Sequence, residues 1–166
     1  MLSNFELFDM SKTYKVKLDD VVYKNDLKKI NMKTNMNVII NLDNNSVKSK
    51  GTHWVCYVKR KNDMLYFDSF GAGPPLEVLQ YSKGLRKSYN EYIVQDLDSS
   101  RCGSYCFPLL HYIKYNKGKL YDVANDFINL FEDNAEKNDQ ILNTYFDSNN
   151  IVVLLKTTIT NRNGDI

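Results

Sequence analysis

Histidine, cysteine and tryptophan are scarce in this sequence, at two, three and one in 166 residues. With histidine only at His53 and His111, any imidazole-dependent chemistry has two candidates. The three cysteines, Cys56, Cys102 and Cys106, are an odd number, which excludes full disulfide pairing and points to reduced thiols. No stretch approaches the ~18 apolar residues of a membrane span. Met1-Leu2-Ser3-Asn4-Phe5-Glu6 also lacks the basic segment and apolar run of a secretory signal, so a protein that is neither secreted nor membrane-bound is expected. Only three prolines and seven glycines are present, and no Pro/Gly/Ser-rich linker, repeat or low-complexity tract divides the chain. A single domain over residues 1–166 follows. The excess of basic over acidic side chains is 22 against 20, too weak a field to argue nucleic-acid binding by itself.

What the chain does have is core material: 43% hydrophobic residues, with 12 tyrosines and 8 phenylalanines, beside an ordinary 25% charged fraction. Basic residues gather at Lys24, Lys28 and Lys29, and again at Lys48, Lys50, Lys59, Arg60 and Lys61. Such runs at turns are usually solvated surface, and a DNA contact would need them to converge.

Residues 1–35 are weakly patterned and hold one or two short helices, with a turn of helix at 26–30. Residues 38–41 read as a buried strand. Trp54-Val55-Cys56-Tyr57-Val58 and Met64-Leu65-Tyr66-Phe67 flank the polar turn Arg60-Lys61-Asn62-Asp63, which predicts an antiparallel hairpin. A helix over 76–85, a strand at 92–94 and a loop over 96–101 follow. From Cys102 to Tyr115, Cys106, Leu109, Leu110 and Ile113 recur at helical spacing, with Pro108 inside and Asn116-Lys117-Gly118 as a stop. Two amphipathic helices, 123–131 and 139–146, and a short apolar segment at 151–155 complete the chain.

The residue types that can do chemistry fall close together in this scheme. His53 opens a hairpin strand, whereas His111 reads as a satisfied histidine of the core helix. The residue opposite His53 lies between Asp68 and Phe70, which makes Asp68 its direct or diagonal neighbour, about 4.5 to 8 Å away. A carboxylate there can fix the imidazole tautomer and leave the other nitrogen as a base. Taken alone, a His/Asp pair at a sheet edge is more often a structural contact.

Cys102 stands at the predicted start of the central helix, where free amides and the helix dipole favour a thiolate. Gly103 would let a substrate backbone approach, and the Cys102 amide could donate to an oxyanion. Gln95 offers a second donor, or else an ordinary polar strand end. Cys106 and Cys56 read as core thiols. A zinc site from Cys102, Cys106 and His111 would draw every ligand from one helix without paired spacing, which argues against a metal.

In this order, Gly51-Thr52-His53-Trp54, then Tyr66-Phe67-Asp68-Ser69-Phe70-Gly71, then Gln95, then Cys102-Gly103-Ser104-Tyr105-Cys106, the chain resembles the superfamily of adenovirus maturation proteases and SUMO-deconjugating proteases. The resemblance spans residues 50–115. It implies an α+β, papain-like (adenain-like) fold: a central mixed β-sheet flanked by helices, with the nucleophile at the N-terminus of a central helix.

The implied activity is that of a cysteine endopeptidase with a Cys-His-Asp triad. Cys102 is its nucleophile, His53 its base and Asp68 the orienter of His53, while Gln95 shares the oxyanion hole with the Cys102 amide. Trp54 would wall a narrow groove, unless it is simply a core aromatic, and Gly103 would line the substrate path. No metal or organic cofactor is implied, although activation by DNA or a peptide is a family theme.

The residues around Cys102 to Cys106 and Ile141 to Phe146 look more adenoviral than eukaryotic, and similar proteases occur in virophages and large DNA transposons. Expected substrates are capsid or core precursors cut at Gly-containing motifs during particle maturation. A monomer is expected, with at most weak DNA association, in the host cytoplasm, virus factory and virion. Two alternatives stand beside this: an isopeptidase acting on ubiquitin-like Gly-Gly tails, and an assembly protein that has lost turnover.

The chain departs from the adenovirus pattern in having Asp68 where those enzymes have Glu, as the SUMO-type branch prefers. Pro108 interrupts the helix. No cysteine between Cys56 and Cys102 could anchor a disulfide-linked activating peptide.

Overall fold

The computed structural model describes residues 2–45 and 53–148. Their order is α1 (Asn4–Thr13), β1 (Asp20–Tyr23), a 3-10 helix (Lys24–Lys29), β2 (Asn35–Asn41), β3 (Trp54–Arg60), β4 (Asp63–Phe67), α2 (Leu76–Tyr81), β5 (Arg86–Tyr89), α3 (Cys102–Tyr115), α4 (Leu120–Ile128) and α5 (Ala135–Ser148). The five strands form one sheet in the order β1-β2-β3-β4-β5. The two outer pairs are parallel and the inner pairs antiparallel, so the sheet is mixed.

The central strands are apolar along their middles because both faces of the sheet are covered. Ile39, Trp54, Cys56, Val58, Leu65 and Phe67 point to the larger core, built with α1, α3, α4 and α5. Val38, Ile40, Val55, Tyr57, Met64 and Tyr66 point to a smaller one, closed by Leu27 of the 3-10 helix and Val78 of α2. The period-two alternation therefore separates two apolar sets, and no strand among these three reads as polar-out. Helix α3 lies inside the larger core, buried from Cys102 through Ile113 except at Ser104, and runs as one element through Pro108.

The hairpin forms as expected, with Arg60 opposite Asp63 and Cys56 opposite Phe67. Lys61 takes a positive φ of 52° in its two-residue turn. The expected strand at 92–94 does not form. Tyr92 and Ile93 are exposed, and the fifth strand is Arg86–Tyr89 instead. Its residues are polar because β5 is an edge, joined to the sheet by its parallel pairing to β4 and by the Arg86–Asp63 ion pair, so apolar periodicity gives no signal. The helix expected over 76–85 stops at Tyr81, and β1, short and at the opposite edge, was not foreseen. The apolar segment at 151–155 lies outside the described residues.

Lys24 pairs with Glu77 and Lys29 with Asp26. Lys59 is buried, with its ammonium on the Thr34 and Lys61 carbonyls. Lys48 and Lys50 lie outside the described residues. Among the described residues no group of His, Cys, Asp or Glu could hold a metal ion.

Candidate active site

Extending the hairpin register past Cys56 and Phe67 sets Phe70 opposite His53 and places Asp68 on the diagonal. The diagonal closes: His53 Nε2 lies 2.7 Å from Asp68 Oδ1. Because a carboxylate there accepts, Nε2 carries the hydrogen, and Nδ1 is the bare nitrogen of the neutral ring. Among the described residues Nδ1 is buried and has no nitrogen or oxygen partner, which leaves it to the Cys102 sulfur.

Phe70 fixes this pair from two directions. Its ring stacks on the imidazole with centroids 4.7 Å apart, and its N–H donates to Asp68 Oδ1 at 2.8 Å. Asp68 is held in turn by Asn90, whose Oδ1 accepts from the Asp68 N–H at 2.9 Å and whose Nδ2 donates to the Asp68 carbonyl at 2.6 Å.

Cys102 enters from the helix layer. Residue 101, the N-cap of α3, offers no side-chain cap, and the first turn carries no acidic residue, so the helix N-terminus is unopposed. The thiol accepts the Trp54 N–H at 3.3 Å, which places it beside His53.

Burial opposes a thiolate. The facing His53 imidazole and the Trp54 and Gly103 amides outweigh it, and the Cys102 thiol sits below its ordinary pKa. Burial likewise opposes charge on His53, but the Asp68 hydrogen bond and the Cys102 sulfur carry its pKa up to about 9. The shifts run in opposite directions, which favours a thiolate–imidazolium pair over the neutral one.

Gln95 is fully buried. Its Oε1 accepts from Ser69 Oγ at 2.6 Å, and its Nε2 donates to the Ser99 carbonyl at 2.7 Å. Its segment passes beside α3: the Tyr105 hydroxyl, which donates to Asp139 Oδ1 at 2.6 Å, stands 3.2 Å from the Val94 carbonyl oxygen. Gly71 makes room for the passage of that segment: at φ 70°, a Cβ there would come within 2.9 Å of the Tyr92 carbonyl carbon.

The two residues expected to line a substrate path are turned inward. Trp54 is buried, and its indole N–H donates to the Leu2 carbonyl at 3.1 Å. A Cβ on Gly103 would stand 3.2 Å from Leu7 Cδ2, 3.3 Å from Trp54 Cδ1 and 3.4 Å from Leu2 Cδ1. Trp54 and the N-terminal residues thus pack close on Gly103 of α3 in this closed arrangement.

His111 and Cys106 are core residues, as expected. His111 Nδ1 meets the Tyr145 hydroxyl at 3.1 Å, and Cys106 is a free, fully buried thiol whose pKa is pushed well up by burial and by Cys56. The structure thus brings His53, Asp68, Gln95 and Cys102 to one end of the sheet. Sequence reasoning passed over Ser69, Phe70 and Asn90 as supports. Ser69 and Phe70 directly follow Asp68, and that adjacency was their only signal.

No protein-family model matches the sequence, and no curated protein matches it. Among solved structures, the crystal structure of the ASFV pS273R protease matches with a TM-score of 0.50 and 18% identity over 83% of this chain. The chain has that protease's fold. It spans 64% of the length of the ASFV protease. A SUMO protease, Ulp1, with its catalytic cysteine oxidized to a sulfinic acid, aligns with a TM-score of 0.42 at 14% identity, covering 76% of this chain and 78% of its own. The α+β architecture, with a mixed five-strand sheet, agrees with the fold class expected from the sequence.

Proposed function

We propose that this chain is a cysteine peptidase acting through a Cys102–His53–Asp68 triad. The observation that carries the reading is the convergence at Cys102. A thiol with lowered pKa sits at an uncapped helix start, facing a histidine whose far nitrogen is bound to a buried aspartate.

In the reaction, the Cys102 thiolate attacks the scissile carbonyl carbon and forms a C–S bond, moving the carbonyl electrons onto oxygen. The Cys102 backbone amide and the second Nε2 hydrogen of Gln95 stabilise that oxyanion. As the C–N bond breaks, the His53 imidazolium gives its Nδ1 proton to the leaving amine. Water then attacks the thioester while His53 takes its proton, releasing the acid and restoring the thiolate. Asp68 keeps the imidazole in place throughout and does not itself exchange the proton.

The site is closed as it stands, with Cys102 3% exposed and Gln95 0% exposed. Substrate entry requires covering residues to move, and the 96–101 loop, whose Ser99 carbonyl sits on the Gln95 amide, is one of them. The finer reading is cleavage of viral capsid or core precursors at Gly-containing sites during particle maturation. It is supported by the residues shared with the adenovirus-type proteases and by the fold held in common with the ASFV enzyme. Asp68, the acid of the SUMO-type branch, favours a second substrate class, ubiquitin-like tails ending in Gly-Gly.

The test offers the purified protein a panel of Gly-Gly and Gly-X-Gly peptides and a ubiquitin-like fusion, with and without DNA, beside Cys102→Ala. Cleavage by the native chain alone supports the reading, and the preferred substrate separates the two classes. Equal behaviour of the native chain and Cys102→Ala sinks it.

A further inference from the structure

The residue after Asp68 reaches the other half of the site. Ser69 is 1% exposed, and its carbonyl accepts two backbone bonds, from Val94 N at 2.9 Å and Gln95 N at 3.1 Å. Its hydroxyl lies 2.6 Å from Gln95 Oε1. The whole Gln95 residue thus hangs from Ser69 by backbone and side chain together.

The orientation of the Gln95 amide is settled by its other partner. The Ser99 carbonyl can only accept, so the amide atom 2.7 Å from it is the nitrogen, and the oxygen must face Ser69. Facing an acceptor at 2.6 Å, the Ser69 hydroxyl donates. Among the described residues Ser99 takes one hydrogen of Nε2, which leaves the second for an incoming group.

We infer that Ser69 is a positioning residue that locks the Gln95 side-chain amide in the one orientation that presents an N–H to a substrate oxyanion. Asp68 and Ser69 then divide the work of one dipeptide, the first aiming the base and the second aiming the oxyanion donor. Without the hydroxyl, Gln95 Oε1 is a buried acceptor with no donor, and the amide gains freedom to turn. The catalytic part of this inference rests on the peptidase reading, but the orientation of the amide does not.

Two measurements separate those parts. In ¹⁵N-labelled protein, the Gln95 Nε2 proton pair is identified by its loss in Gln95→Ala. Ser69→Ala is expected to shift and broaden this pair while the remaining backbone spectrum persists. An unchanged pair overturns the inference whether or not the protein cleaves any peptide.

In peptide hydrolysis, Ser69→Ala is expected to lower kcat about 10-fold with KM little changed, as for one lost buried hydrogen bond. In the Gln95→Ala background the same change should cost nothing further. An equal loss in both backgrounds means that Ser69 acts through general packing, and the inference fails. Ser69→Cys fills nearly the same space with a weaker donor and gives an intermediate kcat and amide shift. It carries the same comparison if Ser69→Ala does not fold.

Discussion

Two thiols lie one turn apart on α3, and their surroundings give them opposite chemistry. Cys102, in the first turn, meets an imidazole and two backbone amides, and its pKa falls. Cys106, in the second, is sealed against Cys56 and the sheet, and its pKa rises well above the ordinary thiol value. Helix, residue type and burial are shared, since both are at or below 3% exposure. What differs is the supply of positive potential: a helix start and His53 in one case, hydrocarbon and a second thiol in the other. Nucleophilicity here is a property of position along the helix rather than of cysteine.

Breaking the comparison at its reactive end should give the largest effect. Cys102→Ala is expected to lower hydrolysis by at least about 10⁴-fold with the thermal melt preserved. Cys106→Ala should leave kcat within a small factor and cost about 1 kcal/mol in a urea melt. Comparable activity losses in both variants would erase the distinction.

Next in size is Asp68→Asn, for which a loss of about 10²-fold in kcat/KM is expected together with a change in pH profile. His53 carries a raised pKa of about 9, so its proton is present through neutral pH and lost as pH rises past about 9. The alkaline limb of kcat/KM should therefore lie near pH 9 in the native chain. Removing the carboxylate removes one of the two groups that raise the pKa, and the limb should move to lower pH. A limb that stays in place would exclude His53 as the titrating acid.

The same contrast can be sharpened without turnover. Iodoacetamide at neutral pH is expected to alkylate Cys102 first, leaving Cys56 and Cys106 unmodified until the protein is unfolded, as read by peptide mass. Random labelling would mean that the thiolate advantage of the first turn is absent.

Much of this site was legible before any coordinates. The β3–β4 hairpin was marked by two apolar runs about a polar turn, and hairpin register places Asp68 near His53 by arithmetic alone. Cys102 was legible because a glycine and a polar loop mark a helix start. The loop half was not. The segment at 92–94 carries Tyr, Ile and Val and reads as a strand, yet it is held by the Ser69 carbonyl, across more than twenty positions, and by the Asn90 amide on the Tyr92 carbonyl, contacts that no apolar pattern encodes. Edge strands β1 and β5 escaped for the opposite reason: half-solvated, they need no apolar alternation. A glycine beside a nucleophile, such as Gly103, suits an open approach as well as it suits a tryptophan packed from behind.

The smallest expected effect tests how the loop half is carried. Gly71 adopts φ 70°, and any Cβ would press on the backbone of Tyr92 and Glu91, which cannot yield as a side-chain tip could. Gly71→Ala is therefore expected to cost about 1–3 kcal/mol in a urea melt, from left-handed strain and overpacking together. Because the pressed segment leads into Val94 and Gln95 but not into β3, the change should act on one side of the site. Hydrolysis should fall several-fold while iodoacetamide still alkylates Cys102 at close to the native rate, since alkylation forms no oxyanion. If both rates fall together, Gly71 supports the hairpin as a whole, and the division of the site into a sheet-borne base and a loop-borne donor is wrong.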